Sequence, residues 1–222
     1  MTQLVRHLRS RVDAPVAHSW IELAEPTPLE AAKRLAAEGI EEIVLVPLLA
    51  FQAHHAGVDL PGNVRAIERA FPALAVRAAA VLGLDERLVA LAARKVGPAR
   101  DRFAGLLVVS SGSTDPSAQQ SAADAAWQLA NATGHGRYAH AFAAGPPPTA
   151  ADALRRLANA GAKRVSVFSW SLLAGRLDAV ARERASAAAE PLGLTLVDAG
   201  RFGPDPVVAD VLVDRYRAAL GR

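Results

Sequence analysis

The strongest constraint in this sequence is internal: residues 26–39 align without a gap on residues 148–161, a spacing of 122. Seven of the fourteen positions are identical, among them Pro26/Pro148, Thr27/Thr149, Arg34/Arg156, Leu35/Leu157 and Gly39/Gly161. Glu30/Asp152 and Lys33/Arg155 keep their charge sign. The register extends outward, with Ala17-His18 falling on Ala139-His140 and Ile43-Val44-Leu45 on Val165-Ser166-Val167. Self-similarity over such a span implies two copies of one structural plan. Gly97 and Pro98 break a helix between the copies, which divides the chain into halves at 1–100 and 101–222.

The plan itself is legible from periodicity. Short β-rich runs at 16–23, 42–49, 74–79, 105–110, 138–143, 164–170 and 194–198 alternate with longer segments of helical period. The clearest of the latter are 29–38, 86–96, 117–132 and 178–190, and the 50 alanines favour helix throughout. Gly39 and Gly161 stand where a helix would hand over to the next strand, the usual left-handed role of glycine. Strands and helices in alternation imply parallel sheets covered on both faces. The expected fold is α/β, with two homologous doubly wound parallel-sheet halves. Moving the second half back by 122 places strand 105–110 and turn 111–116 before Met1. The first half is therefore expected to lack its first strand, its first turn and part of its first helix, roughly twenty residues. A chain incomplete at its N-terminus is the expectation that follows.

Composition narrows the class. Half the residues (51%) are apolar and the net charge is only +3, which excludes a disordered chain. There is no Cys, so no disulfide scaffold. The longest uncharged apolar run, 43–51, is far short of the roughly 20 residues that span a bilayer. Arg6, His7, Arg9, Arg11 and Asp13 interrupt any signal-peptide apolar core. A soluble, cytoplasmic protein is expected, with no membrane partner. The pI of about 9.8 comes from a small excess of interspersed Arg, without a basic run or aromatic interleaving, so nucleic acid is not an expected partner either.

Open α/β sheets collect ligands at the carboxyl ends of their strands. Those ends present Glu22, then the stretch 47–59, then 110–115, 142–146 and 170–176. Folding needs account least for Phe51-Gln52-Ala53-His54-His55-Ala56-Gly57-Val58-Asp59-Leu60-Pro61. Imidazole is the commonest ligand for first-row divalent metals, and a carboxylate near it fixes its tautomer and orientation. Asp59 can equally serve as a helix cap, with Pro61 opening the helix. The turn Ser110-Ser111-Gly112-Ser113-Thr114-Asp115-Pro116 offers backbone N–H groups to an anion, or simply caps the helix that follows. His18 and His140 sit within strands and read as structural imidazoles. Trp170 ends a strand near the expected cleft, where it walls an aromatic ligand or packs in the core. Arg176 and Arg201 stand at strand ends as receivers for substrate carboxylates.

Taken in order, these elements resemble the two-repeat CbiX-like sirohydrochlorin chelatases, type II tetrapyrrole chelatases. The resemblance rests on Glu22-Leu23-Ala24-Glu25-Pro26, Val46-Pro47-Leu48-Leu49 and His55-x-x-x-Asp59-Leu60-Pro61 in the first half. In the second half it rests on Ser111-Gly112-Ser113-x-Asp115-Pro116, Pro148-Thr149 and Leu172-Leu173-Ala174-Gly175. It implies a lyase-type enzyme that inserts a divalent metal, Co2+ or Fe2+, into sirohydrochlorin for cobalamin or sirohaem synthesis, with the metal as substrate and no organic cofactor. It implies two histidines meeting the metal, one matching His55 and one in a His-Gly-Ser turn of the first half. That turn's repeat partner here is Ser111-Gly112-Ser113, so His54 or Glu22 is the neighbour to take the second role. The expected site is thus His55 and Glu22 for catalysis, His55 and His54 for the metal, and Phe51, Ser111, Gly112, Ser113, Trp170 and Arg176 for the tetrapyrrole. Two other readings stay open: a tetrapyrrole- or metal-binding homologue without turnover, and a phosphosugar-binding module using the 110–114 turn.

Overall fold

The computed structural model describes residues 1–21 and 24–221. Along the chain run α1 (Thr2–Arg9), α2 (Pro28–Ala37), β1 (Glu42–Leu45), a π-helical turn (His55–Asp59), α3 (Leu60–Ala70) and β2 (Ala75–Ala78). There follow α4 (Glu86–Val96), β3 (Ala104–Ser110), α5 (Pro116–Thr133), β4 (Tyr138–Phe142), α6 (Ala150–Asn159) and β5 (Arg164–Ser169). The chain ends with α7 (Arg176–Ala189), a 3-10 turn (Glu190–Leu192), β6 (Thr195–Arg201) and α8 (Pro206–Ala219). These elements group into two units, residues 1–83 with 204–222, and residues 84–203.

The second unit holds a four-stranded sheet in the order β4-β3-β5-β6, every pair parallel. Its inner strand β3 is buried from Gly105 to Ser110, which is why it reads as one continuous apolar run and not as an alternating one. Leu107 and Val109 of β3 share a core with Ala153, Leu154 and Leu157 of α6 and with Val165 and Val167 of β5. Phe168, Trp170 and Phe202 close the core with edge-on ring contacts.

Among the described residues of the first unit, β1 pairs with β2 in parallel, Glu42 opposite Ala75. Its core cluster is small: Ala32, Ile67 and Leu74, with Ile43, Leu45, Phe71 and Val76 half-buried against it. Helix α8 belongs here, tied by an Arg11–Asp210 ion pair at 2.6 Å and by the Arg215 guanidinium, which donates to the carbonyls of Val81 and Leu82. Helix α4 belongs to the second unit, packed on α5 and β6. This grouping differs from a single cut at residue 100, because spatial proximity and not chain order decides which unit each of these helices joins.

The repeat is visible in detail. Thr27 and Thr149 each cap a helix by a reciprocal box, with Glu30 and Asp152 as the returning carboxylates. Trp20 N–H donates to Pro26 O at 2.9 Å, and Phe142 N–H to Pro148 O at 2.9 Å, 122 residues on. Gly39 and Gly161 follow the two helices at φ +84° and +87°, as expected of them. The strand expected at 16–23 is not formed: residues 16–21 lie in no strand, and 22–23 fall outside the described residues. Its counterpart β4 is held in the sheet by β3. A strand needs a partner for its backbone groups, and among the described residues no strand pairs with 16–21.

Candidate functional site

After β1 the chain runs through 46–53 and then turns into the π-helical segment His55–Asp59, in which Leu60 N–H donates to the carbonyl of His55. Gly57 N–H and Ala56 N–H both donate to Ala53 O, starting the turn. Hydrogen bonds from i to i+5 make a wide turn, a form found mostly as single turns at functional sites. Pro61 then stands in the first turn of α3, where its missing N–H is no loss.

Residues four apart in such a turn share a face, and this brings His55 and Asp59 together. His55 Nδ1 lies 2.6 Å from Asp59 Oδ2, with the two side chains 44% and 31% exposed. An ionised carboxylate only accepts, so the Nδ1 proton is assigned to the imidazole and the Nε2 atom carries the lone pair of the neutral ring. Asp59 makes no side-chain cap to α3. Of its two sequence readings, the orienting carboxylate is the one realised. Its own carbonyl accepts from Asn63 Nδ2 at 2.8 Å, which ties the turn to the helix behind it.

His54 is placed differently. Its ring is 73% exposed, with Nε2 3.9 Å from Asp59 Oδ1, too long for a hydrogen bond. The two imidazoles stand edge to face at a centroid separation of 6.1 Å. Among the described residues, no three His, Asp or Glu side chains converge on a point that a metal ion would occupy. Phe51 is half-buried in the bend before the turn. Glu22 lies outside the described residues.

The residues expected in the second unit fall into two groups. Ser113, Asp115 and the helix behind them form a closed capping system. Asp115 accepts from Ser117 N–H at 2.8 Å and Ala118 N–H at 3.4 Å, and Ser113 Oγ accepts from Asp115 N–H at 3.0 Å. Hydrogen bonds from Ser117 lower the Asp115 pKa, although the carboxyl is otherwise open to solvent. Gly112 has φ +103°, and a Cβ there would meet Ala144 O at 1.9 Å, so the glycine is required by packing. Ser111 is exposed beside it. Trp170 is only 2% exposed and lies against Phe168 and Phe202, so here its ring is core and not wall. Arg176 is exposed at the start of α7.

Arg201, expected to receive a carboxylate from a ligand, already holds one of the protein's own: it is ion-paired to the buried Asp178. Arg182 joins this network, 3.3 Å from Asp178 and also paired to Asp198. Burial pushes the Asp178 pKa up, but hydrogen bonds from Ser169 and Arg201 and the charge of Arg182 outweigh it, and the net shift is downward. Sequence reasoning missed this network, since its members lie on separate elements. Only the i, i+4 spacing of Asp178 and Arg182 gave a local signal.

Comparison with known proteins points one way. The family model described as CbiX matches residues 1–99 and 105–219. The sirohydrochlorin ferrochelatase of Priestia megaterium is 24% identical over 177 residues, covering 78% of this chain and 66% of that one. The sirohydrochlorin cobaltochelatase of Sulfurisphaera tokodaii is 32% identical over 81 residues, 36% of this chain and 64% of that one. The chain thus spans slightly less than two thirds of the length of these curated relatives. Among solved structures, SirB from Bacillus subtilis with Fe3+ superposes with a TM-score of 0.79 at 20% identity, over 98% of this chain and 87% of that one. At that identity the likeness establishes the fold.

Proposed function

The chain belongs to the CbiX family, and on that footing we propose that it inserts a divalent metal ion, Co2+ or Fe2+, into sirohydrochlorin. The observation that carries the proposal is the His55–Asp59 pair at 2.6 Å, set on a wide turn that follows a parallel strand and partly open to solvent. The curated relatives carry the names of a ferrochelatase and a cobaltochelatase, which makes either metal reasonable as substrate. Imidazole ligation alone does not choose between them.

Insertion exchanges two pyrrole N–H protons of the macrocycle for one divalent ion. The ion must be held firmly enough to be delivered and loosely enough to leave. His55 supplies one imidazole donor through Nε2, and Asp59 at Nδ1 keeps the ring in that tautomer and strengthens it as a donor. Once the ion has passed to the macrocycle, the same nitrogen can accept one of the displaced protons, since imidazole works as both ligand and base near neutral pH. His54, more exposed, is the second donor in this proposal, and Glu22 a further acid–base group. Phe51 offers apolar surface beside the turn. In the second unit, exposed Arg176 is proposed as a carboxylate-binding residue. Among the described residues no helix is long and apolar enough to cross a membrane, and the reaction is proposed to take place in the cytoplasm.

Absorbance of sirohydrochlorin mixed with Co2+ or Fe2+, with and without the protein, tests the proposal. The wild-type chain should accelerate the spectral change and His55→Ala should return it to the uncatalysed rate. Asp59→Asn should slow it about ten- to a hundredfold, as for other partners of ligating imidazoles. Binding of tetrapyrrole or metal without accelerated insertion would replace this reading by that of a non-catalytic binder. An undiminished rate in His55→Ala would remove His55 from the mechanism.

A further inference from the structure

The four strands of the second unit run parallel, so their amino ends gather at one edge of the sheet, opposite the edge where open α/β folds collect ligands. The segments that lead into this edge bring distant parts of the sequence together. Lys163 N–H and Arg164 N–H both donate to Phe103 O, at 3.0 and 3.5 Å, and Leu106 N–H donates to Arg137 O at 2.9 Å. The Arg137 guanidinium donates to the carbonyls of Arg102 and Ala160. Over 94–104, 134–138, 160–164 and 190–195 stand seven Lys and Arg residues against two acids, Asp101 and Glu190. Asp101 is engaged in the turn before β3, where its Oδ1 accepts from Phe103 N–H at 2.6 Å.

Part of this charge has a local reason. Arg94 and Lys95 lie in the last turn of α4, where the negative end of a helix favours cations, and Arg137 ties two loops together. Lys163 and Arg164 are exposed, and the fold does not require their charge: the repeat sets Glu41 and Glu42 at the same positions, at the start of β1. Arg100 and Arg102 are exposed as well. Two aromatic rings join them at this edge. Phe103 and Tyr138 are each 41% exposed, at the starts of the neighbouring strands β3 and β4, and the Arg102 guanidinium lies 4.8 Å from the Phe103 ring centroid.

We propose that this edge binds single-stranded nucleic acid, with Arg100, Arg102, Lys163 and Arg164 meeting the phosphates and Phe103 and Tyr138 each stacking on a base. Cations interleaved with open aromatic faces suit a single strand of any sequence, because every base has a face to stack. An acidic peptide would use the cations and leave the rings without a role. An anionic membrane would need the rings to enter lipid, and each shows less than half of its surface. No basic run announces such a partner in the sequence, because the fold assembles the cluster from separate loops. The proposal stands apart from the reading of His55, which lies in the other unit.

The test uses the full 222-residue chain and a fluorescein-labelled oligothymidylate of about twelve nucleotides, at about 0.15 M KCl. Anisotropy should show saturable binding. Lys163→Gln together with Arg164→Gln should weaken it at least tenfold and flatten the slope of log affinity against log salt by about 1.4, the share of two phosphate contacts. Phe103→Ala and Tyr138→Ala should each weaken it about fivefold or more and leave that slope unchanged. Circular dichroism should be unaltered in each, and Phe103→Leu and Tyr138→Leu, which keep bulk and lose the ring, should repeat the loss. A duplex of the same length offers the rings no open base face, and should bind about fivefold more weakly despite its greater charge. The proposal is overturned if the single strand does not bind, if the ring variants bind like the wild type, or if the duplex binds equally well. Equal binding of polyglutamate, or of phosphatidylserine vesicles, would overturn it in favour of an acidic protein or an anionic membrane.

Discussion

At Gly112 the conformation and the space allowed point to the same residue type. Its φ of +103° is one that side-chain-bearing residues rarely adopt, and a Cβ would come within 1.9 Å of the backbone oxygen of Ala144. That oxygen cannot swing aside as a flexible side chain would, because Ala144 N–H is itself bonded to Ser111 O at 3.2 Å. Gly112→Ala should therefore destabilise the second unit by more than about 1 kcal/mol, the ordinary upper size of a compatible glycine exchange with its sign reversed. Urea unfolding followed by circular dichroism would measure it, and a neutral result would show that the turn can open without cost. The case is instructive for the Ser110–Pro116 stretch as a whole. A hydroxyl-rich strand–turn–helix sequence suits an anion site and a capped helix equally well, and the structure spends Ser113 and Asp115 on the cap. For Asp59 the outcome is the reverse, since it leaves α3 uncapped and takes His55. Residue type and spacing alone do not separate these cases, because capping and orientation use the same short acceptors.

Among the elements, the helices were the easiest to anticipate, and their caps explain why. Thr27 and Thr149 accept from the N–H groups of Glu30 and Asp152 at 3.3 and 3.2 Å, and the two carboxylates reach back to the threonine N–H groups at 2.7 and 3.1 Å. Each box satisfies two backbone donors that the first turn would otherwise leave without an intrahelical partner. Such boxes are local in sequence and hence legible. Thr27→Ala and Thr149→Ala should each cost about 1 kcal/mol, and the serine variants much less. Denaturant midpoints of the four variants would check this, and a cost confined to one threonine would show that the two helices are not equivalent. Strands depend on partners far along the chain, which is where sequence reading loses its grip. Residues 16–20 have strand-like composition and a close counterpart in β4, yet they lie in no strand, because a strand forms only where a partner pairs with it. β6, by contrast, extends to Arg201, beyond the 194–198 expected, because β5 pairs with it as far as Ser169.

On the scale of the whole molecule, the two units reached unequal ends from one plan. Among the described residues, one has four strands around a buried β3, the other two strands with half-buried faces. The exchange of α4 and α8 was not foreseeable from the repeat, since it depends on contacts such as Arg11–Asp210 across 199 residues. The second unit also stores its acid sensitivity in two steps. His135 and His140 have pKa values lowered from the ordinary 6.5, by burial in both and also by the charge of Arg156 at His140. A histidine more basic in the unfolded chain than in the folded one binds its proton preferentially on unfolding, so stability is intact above pH 6.5 and declines as pH falls below it. At His135, Thr133 Oγ1 gives its proton to Leu129 O at 2.7 Å and so receives one from Nδ1 at 2.8 Å, a bond either protonation state can make, and burial is what disfavours the charged ring. The second step belongs to Asp178 and Asp198, whose pKa values lie below the ordinary 3.8. Partner bonds outweigh burial at Asp178, and the hydrogen bond from Arg182 leads at Asp198. Their contribution is complete above pH 3.8 and lost as pH falls from there through the lowered values. The melting temperature should accordingly drift downward from about pH 6.5, level, and then fall again below about pH 4. His140→Gln should flatten the first decline and leave the second, because glutamine cannot take up the proton. Scanning calorimetry of both proteins from pH 7.5 to 3 would show it, and an unchanged first decline in the variant would mean that His140 takes no part in it.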